Sequence, residues 1–169
     1  MWGVRDYEHR RAVNALAART YKEVDPLRVS AYPHWITPFT WDGVVETPAF
    51  FALASVDSLT PEVDPEGELE IRYKPPETPI TLAAKKSYLG RVYLDWARYP
   101  ITETQELADG GYIVRFQDLR FVRIASAVAR GRGRKVLSAG VKLDHNLKVV
   151  GDVYDKGDGE TVVPEPAPD

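Results

Sequence analysis

An α+β domain is what this sequence predicts, and three observations lead there. Residues 31–57 gather two of the four tryptophans and three of the five phenylalanines, and aromatics dominate burial where they cluster. Two stretches, 4–22 and 79–97, are rich in good helix formers. Short alternating runs fill much of the rest, punctuated by Pro, Gly and Asp at turn positions. Together they predict a twisted antiparallel sheet of about five to seven strands, one long helix packed on it, and an N-terminal helix. The division expected is residues 1–24 as the helix, 25–155 as the globular part and 156–169 as a disordered tail, polar and proline-rich.

In the first helix, Val13, Leu16, Ala17 and Thr20 recur at helical spacing and form a narrow apolar stripe, while Arg5, Asp6, Glu8, Arg10 and Arg11 make its first half highly charged. Asp25-Pro26 should stop it. Leu27 to Tyr32 alternates as a short strand. Pro38, Asp42 and Gly43 read as turn formers before one or two central strands that carry Val44, Val45, Phe50, Phe51, Leu53 and Val56. Prolines 61, 65, 75, 76 and 79 then bracket a brief strand, Glu68 to Tyr73, that suits a sheet edge.

Thr78-Pro79 has the form of an N-cap followed by proline at the first helical position. The helix it opens, 79–97, is expected to bury Tyr88, Leu89, Val92, Tyr93 and Trp96. Gly90, which costs about 1 kcal/mol against alanine in mid-helix, is read as a close approach to another backbone. Ile101 to Leu107 and Tyr112 to Val122 flank the turn 108–111, and the change of parity near Asp118 suggests a bulge. Val136 to Leu143 and Leu147 to Tyr154 flank a second hairpin at Asp144-His145-Asn146.

Twenty-two Lys and Arg against 25 Asp and Glu leave a net charge of −3 over 169 residues, with no global bias toward nucleic acid. The absence of cysteine excludes disulfides, thiolate catalysis and Cys-ligated zinc. His9, His34 and His145 stand apart, without the converging set of ligands that zinc requires. Asp152, Asp155, Asp158 and Glu160 superficially suggest a calcium loop, but their spacing is three and the twelfth position is Val163 where an EF-hand needs a bidentate glutamate. A solvated acidic tail is the simpler reading. Glu46, Asp57 and Asp118 are the carboxylates considered for acid–base work, with structural ion pairs as the competing role. No catalytic residue, cofactor or metal ligand is assigned in this chain. Arg130, Arg132, Arg134 and Lys135 form the concentrated basic run, a flexible loop able to meet anionic lipid headgroups. Without interleaved aromatics it offers no stacking platform for nucleic acid.

The ordered segments RDYEHRRAV, PLRVSAYPHWITPFTWDGVVETPAFF, YLDWARYPITE, GGYIVRFQDLRF and GVKLDHNLKVV resemble the C-terminal soluble region of the YdjM-like inner-membrane metal-dependent hydrolases, from about residue 4 to 150. The most specific pieces are Thr37 to Thr47 and Trp96 to Pro100. That resemblance implies a bacterial parent protein with a membrane bundle that carries the divalent metal and lies outside this chain. It implies that the present chain is an accessory, non-catalytic domain joined near Trp2 to Arg5, whose partner is the membrane part of its own parent. In that arrangement Arg5, Arg10 and Arg11, just after the last membrane helix, favour the cytoplasmic side by the positive-inside rule. The alternative is a lipid- or small-ligand-binding module that uses the aromatic stretch 31–57 and the basic loop 130–135.

Overall fold

The computed structural model describes residues 2–34, 37–122, 137–156 and 159–164. The α+β class holds, but the described residues form two five-stranded antiparallel sheets in place of a single one. The chain divides into two compact units, Met1–Lys74 and Pro75–Asp169, inside the span read as one domain.

In the first unit, helix α1 (Trp2–Ala17) precedes strands β1 (Arg28–Pro33), β2 (Thr40–Glu46), β3 (Phe50–Asp57), β4 (Glu62–Val63) and β5 (Glu70–Tyr73). β3 is central: it pairs with β2 along one edge and with β4 and β5 along the other. Its sequence explains that place. Phe50, Phe51, Ala52, Leu53, Ala54 and Val56 are all buried, the near-continuous apolar run of a strand covered on both faces. The β2–β3 reversal is held by Thr47, whose buried hydroxyl donates to the Phe50 carbonyl at 2.8 Å and accepts the Phe50 N–H at 3.0 Å.

Asp42 and Gly43 are not turn residues; they lie inside β2, paired with Tyr32 and Ala31 of β1. Gly43 is small because α1 needs the space, since a Cβ there would stand 2.7 Å from a Leu16 methyl. α1 buries Glu8, Ala12 and Leu16, four apart, while Ala17 and Thr20 of the expected stripe are exposed. The helix ends at Ala17, and the chain turns back through Lys22 and Glu23 with positive φ. Tyr21 closes that reversal by donating its hydroxyl to the Leu16 carbonyl at 3.1 Å.

The second unit opens with α2 (Pro79–Lys86) and α3 (Tyr88–Trp96). Thr78 and Thr81 make a reciprocal capping box under Pro79, as the sequence predicts for a helix start. The single long helix expected here is broken at Ser87, which accepts the Gly90 N–H at 3.0 Å and donates to the Ala84 carbonyl at 2.8 Å. Gly90 does mark a close backbone approach: a Cβ would fall 2.2 Å from the Ala84 carbonyl oxygen. The break rotates the apolar face. Tyr93 is buried and Leu89 half-buried, while Tyr88, Val92 and Trp96 are about half exposed.

A meander follows: β6 (Pro100–Glu106), β7 (Tyr112–Asp118), β8 (Ala139–Leu143), β9 (Val149–Lys156) and β10 (Gly159–Val163), in the order β10-β9-β8-β7-β6. Val114, Phe116, Val141 and Leu143 from its middle strands share a core with Ala84 and Tyr93. Gly110 takes φ +79° in the first hairpin turn, as a tight reversal requires. Near Asp118 the parity change marks the end of β7 and a 3₁₀ turn, Leu119–Phe121, not a bulge. β10 lies within the stretch expected as tail; its Thr161 pairs with Tyr154, and Val162 with Val153.

Candidate functional site

Alternate positions in a strand face one way, so Ala31 and Pro33 of β1 share a face with their register partners Gly43 and Trp41 of β2. α1 lies over that face, and one turn separates Arg5 from His9 along it. Between them is a cleft of about 340 Å³ lined by Arg5, Asp6, His9, Ala31, Pro33 and Trp41. This is the small end of the roughly 300–1,000 Å³ typical of ligand sites.

Trp41 is 2% exposed, and its Nε1–H has no hydrogen-bond acceptor among the described residues. An unmade bond of that kind costs about 1–3 kcal/mol, and buried polar groups in native proteins are nearly always satisfied. The His9 ring sits 5.2 Å from the Trp41 ring, tilted by 43°. Asp6 is held by Arg10 at 3.1 Å on the solvent side. Two residues on, Glu8 is buried with Oε1 3.7 Å from Arg11 and Oε2 without a hydrogen-bond partner among the described residues.

The carboxylates considered for acid–base work are occupied elsewhere. Glu46 holds Lys74 through Oε1 at 2.8 Å and Arg28 through Oε2 at 2.8 Å. Burial pushes its carboxyl up, but those two cations outweigh burial and leave it below the usual 4.5. Asp57 accepts the Leu59 N–H at 2.8 Å. Thr40, opposite Asp57, is six residues from Glu46 along β2, so these two carboxylates lie about 20 Å apart along the strand. Asp118 caps the 3₁₀ turn and is bound by Arg120 and by the Arg98 N–H.

Among the described residues no three His, Asp or Glu side chains cluster as metal ligands. His145 is exposed at its hairpin tip with Nε2 2.8 Å from the Asn146 amide, and the His34 N–H bonds the Thr40 carbonyl. Asp152 is not part of a solvated tail; it is 6% exposed within β9. The basic run Arg130, Arg132, Arg134 and Lys135 lies outside the described residues. Of the aromatic stretch, most of β2 and β3 is core, and Trp41 alone of its aromatics lines the cleft among the described residues. The cleft was missed in the sequence because it depends on Arg5 and His9 of α1 meeting Trp41, residues more than 30 positions apart. The only sequence signal was the placement of a histidine and an arginine one turn apart in an otherwise solvated half-helix.

No family model matches the chain, and neither the curated proteins nor the solved structures provide a match. No helix among the described residues is long and apolar enough to cross a membrane.

Proposed function

We propose that this chain is a non-catalytic accessory domain of a membrane-bound metal-dependent hydrolase, positioning substrate or a partner beside a membrane active site. The observation that carries the reading is the engagement of Glu46, Asp57 and Asp118 in separate structural hydrogen bonds and ion pairs. Support for the parent comes from the sequence segments that resemble the YdjM-like family. In this reading the metal belongs to the membrane bundle, the domain lies on the cytoplasmic side of the inner membrane, and its partner is the rest of its own chain. Assaying the 169-residue chain on generic ester and phosphodiester substrates, with and without zinc, tests it. Background turnover in both is the expected result; robust turnover abolished by Glu46→Gln or Asp118→Asn would overturn it.

A second reading, a lipid- or small-ligand-binding module, is favoured by the cleft that Ala31, Pro33 and Trp41 form on the aromatic stretch. Arg130, Arg132, Arg134 and Lys135 would supply attraction to anionic lipid at about 1 kcal/mol per cation. Co-sedimentation with phosphatidylserine vesicles should fall on changing the three arginines to Gln. Binding indifferent to lipid charge removes the lipid version.

A further inference from the structure

We propose that the outer face of α3 is a self-association surface, on which a second copy of this chain docks its own α3, antiparallel, about a two-fold axis. The starting point is a stripe of apolar residues where the solvent side of a helix is ordinarily polar. Tyr88, Val92 and Trp96 recur four apart on α3 and are 53%, 49% and 49% exposed. Residues at that spacing stack along one face, and a contiguous apolar patch, unlike apolar residues scattered singly, marks an interaction surface. Trp96 is already fixed in place. Its ring stacks on Phe121 at 5.7 Å with 6° between the planes, meets Tyr93 edge-on at 5.7 Å, and lies 4.9 Å from the Arg120 guanidinium. An aromatic anchor held before docking loses little side-chain freedom when it is covered.

The charges beside the stripe select a second copy as the occupant. Arg91 and Asp95 are exposed, and neither makes an ion pair among the described residues. Each precedes a member of the stripe by one residue, so the two border it on the same flank, one turn apart and opposite in sign. A two-fold axis perpendicular to α3 reverses the helix of the second copy and keeps that flank on the same side. Arg91 of each copy then faces Asp95 of the other, Val92 meets Val92, and Tyr88 packs against Trp96. The charged pair is centred on Tyr93 and the stripe on Val92, an axial offset of about 1.5 Å, so one axis serves both sets. This is the self-complementarity that an isologous contact requires. A parallel two-fold would instead lay the charged flank against the Leu89 flank of the other copy and leave both charges unpaired. A partner face of a single charge sign would repel either Arg91 or Asp95.

The stripe runs for about 12 Å, so the contact falls at the small end of specific interfaces. The expected dissociation constant is about 10 µM to 1 mM.

Sedimentation equilibrium of the full chain across that concentration range is the test, and a reversible monomer–dimer equilibrium is the expected result. Arg91→Asp and Asp95→Arg each set like charges against each other twice across the axis, and each alone should weaken dimerisation about tenfold or more. An equal mixture of the two variants restores opposite charges at both contacts and should recover association to within about threefold of the original. Recovery on mixing also shows that both variants are folded. A chain monomeric at the top of the range, association unchanged in either variant, or a mixture no tighter than its components would each overturn the proposal. A species larger than a dimer would do the same, because a two-fold contact closes. Val92→Glu identifies a rival occupant: a lower denaturation midpoint in a monomeric chain gives the stripe to another segment of the same chain, and loss of vesicle binding gives it to a lipid surface. Either result replaces the second copy.

Discussion

Asp118 accepts the Arg98 N–H at 2.7 Å and the Arg120 N–H at 3.0 Å, and binds the Arg120 guanidinium at 2.8 Å. Burial pushes its carboxyl up. The Arg120 side chain, the two backbone N–H groups and the Arg120 charge together outweigh burial and hold it below the usual 3.8. Because its folded value is the lower one, the unfolded chain takes up the proton first. The stability Asp118 contributes is thus complete above about pH 3.8 and is lost as pH falls through the folded value. Asp118→Ala should cost about 3 kcal/mol, and Asp118→Asn should flatten the acid limb of stability measured by denaturant titration. Tyr93 gives the opposite limb. Burial pushes its hydroxyl up to about 12, with the Asp118 charge adding to it, while the hydroxyl donates to the Leu137 carbonyl at 2.9 Å. Since the unfolded tyrosine ionises near 10, its contribution is intact below that pH and lost between 10 and about 12. Tyr93→Phe should cost about 1 kcal/mol at neutral pH and reduce the alkaline loss of stability between those two values.

At the scale of the element, Gly90 sets two effects of opposite sign against each other. Helix propensity alone favours Gly90→Ala by about 1 kcal/mol. The added Cβ, however, would lie 2.2 Å from the Ala84 carbonyl oxygen, which is backbone and held by the Ser87 hydroxyl. Overpacking against a fixed group costs about 1–3 kcal/mol, so a net loss of stability is expected, seen as a lower denaturation midpoint. Stabilisation would show that α2 and α3 can separate freely. Gly151 plays a related part, because a Cβ there would stand 2.4 Å from the Val163 carbonyl oxygen. Gly151→Ala should detach the end of β10 and speed amide exchange at Thr161 and Val162, with exchange in β7 unchanged. Gly90 was readable from sequence as a close contact because glycine is costly there without one. Neither the Ser87 break nor β10 was readable. Serine is an ordinary helical residue until its hydroxyl finds a carbonyl, and GETVV becomes a strand only through its pairing with β9.

At the scale of the whole chain, the α+β class and most strands were readable, because alternation and turn residues are local signals. The division into two sheets was not, since strand partners are chosen by contacts distant in sequence. The cleft was hidden for the same reason, and its histidine and arginine looked like parts of a solvated helix. Two separate sheets with separate apolar cores carry a consequence for cooperativity. Leu16 is fully buried with Ala12, Tyr21, Trp41 and Val45 in the core of the first unit, whereas Val114, Phe116, Val141 and Leu143 belong to the second. Leu16→Ala should cost about 3 kcal/mol through lost contacts and a residual cavity, a large share of the stability of a unit this small. If each core sustains its own unit, amide exchange in β2 and β3 will accelerate sharply in this variant while β7 and β8 keep their protection. Equal acceleration in both sheets would instead make the chain one cooperative body, with Leu16 counted in the stability of all of it.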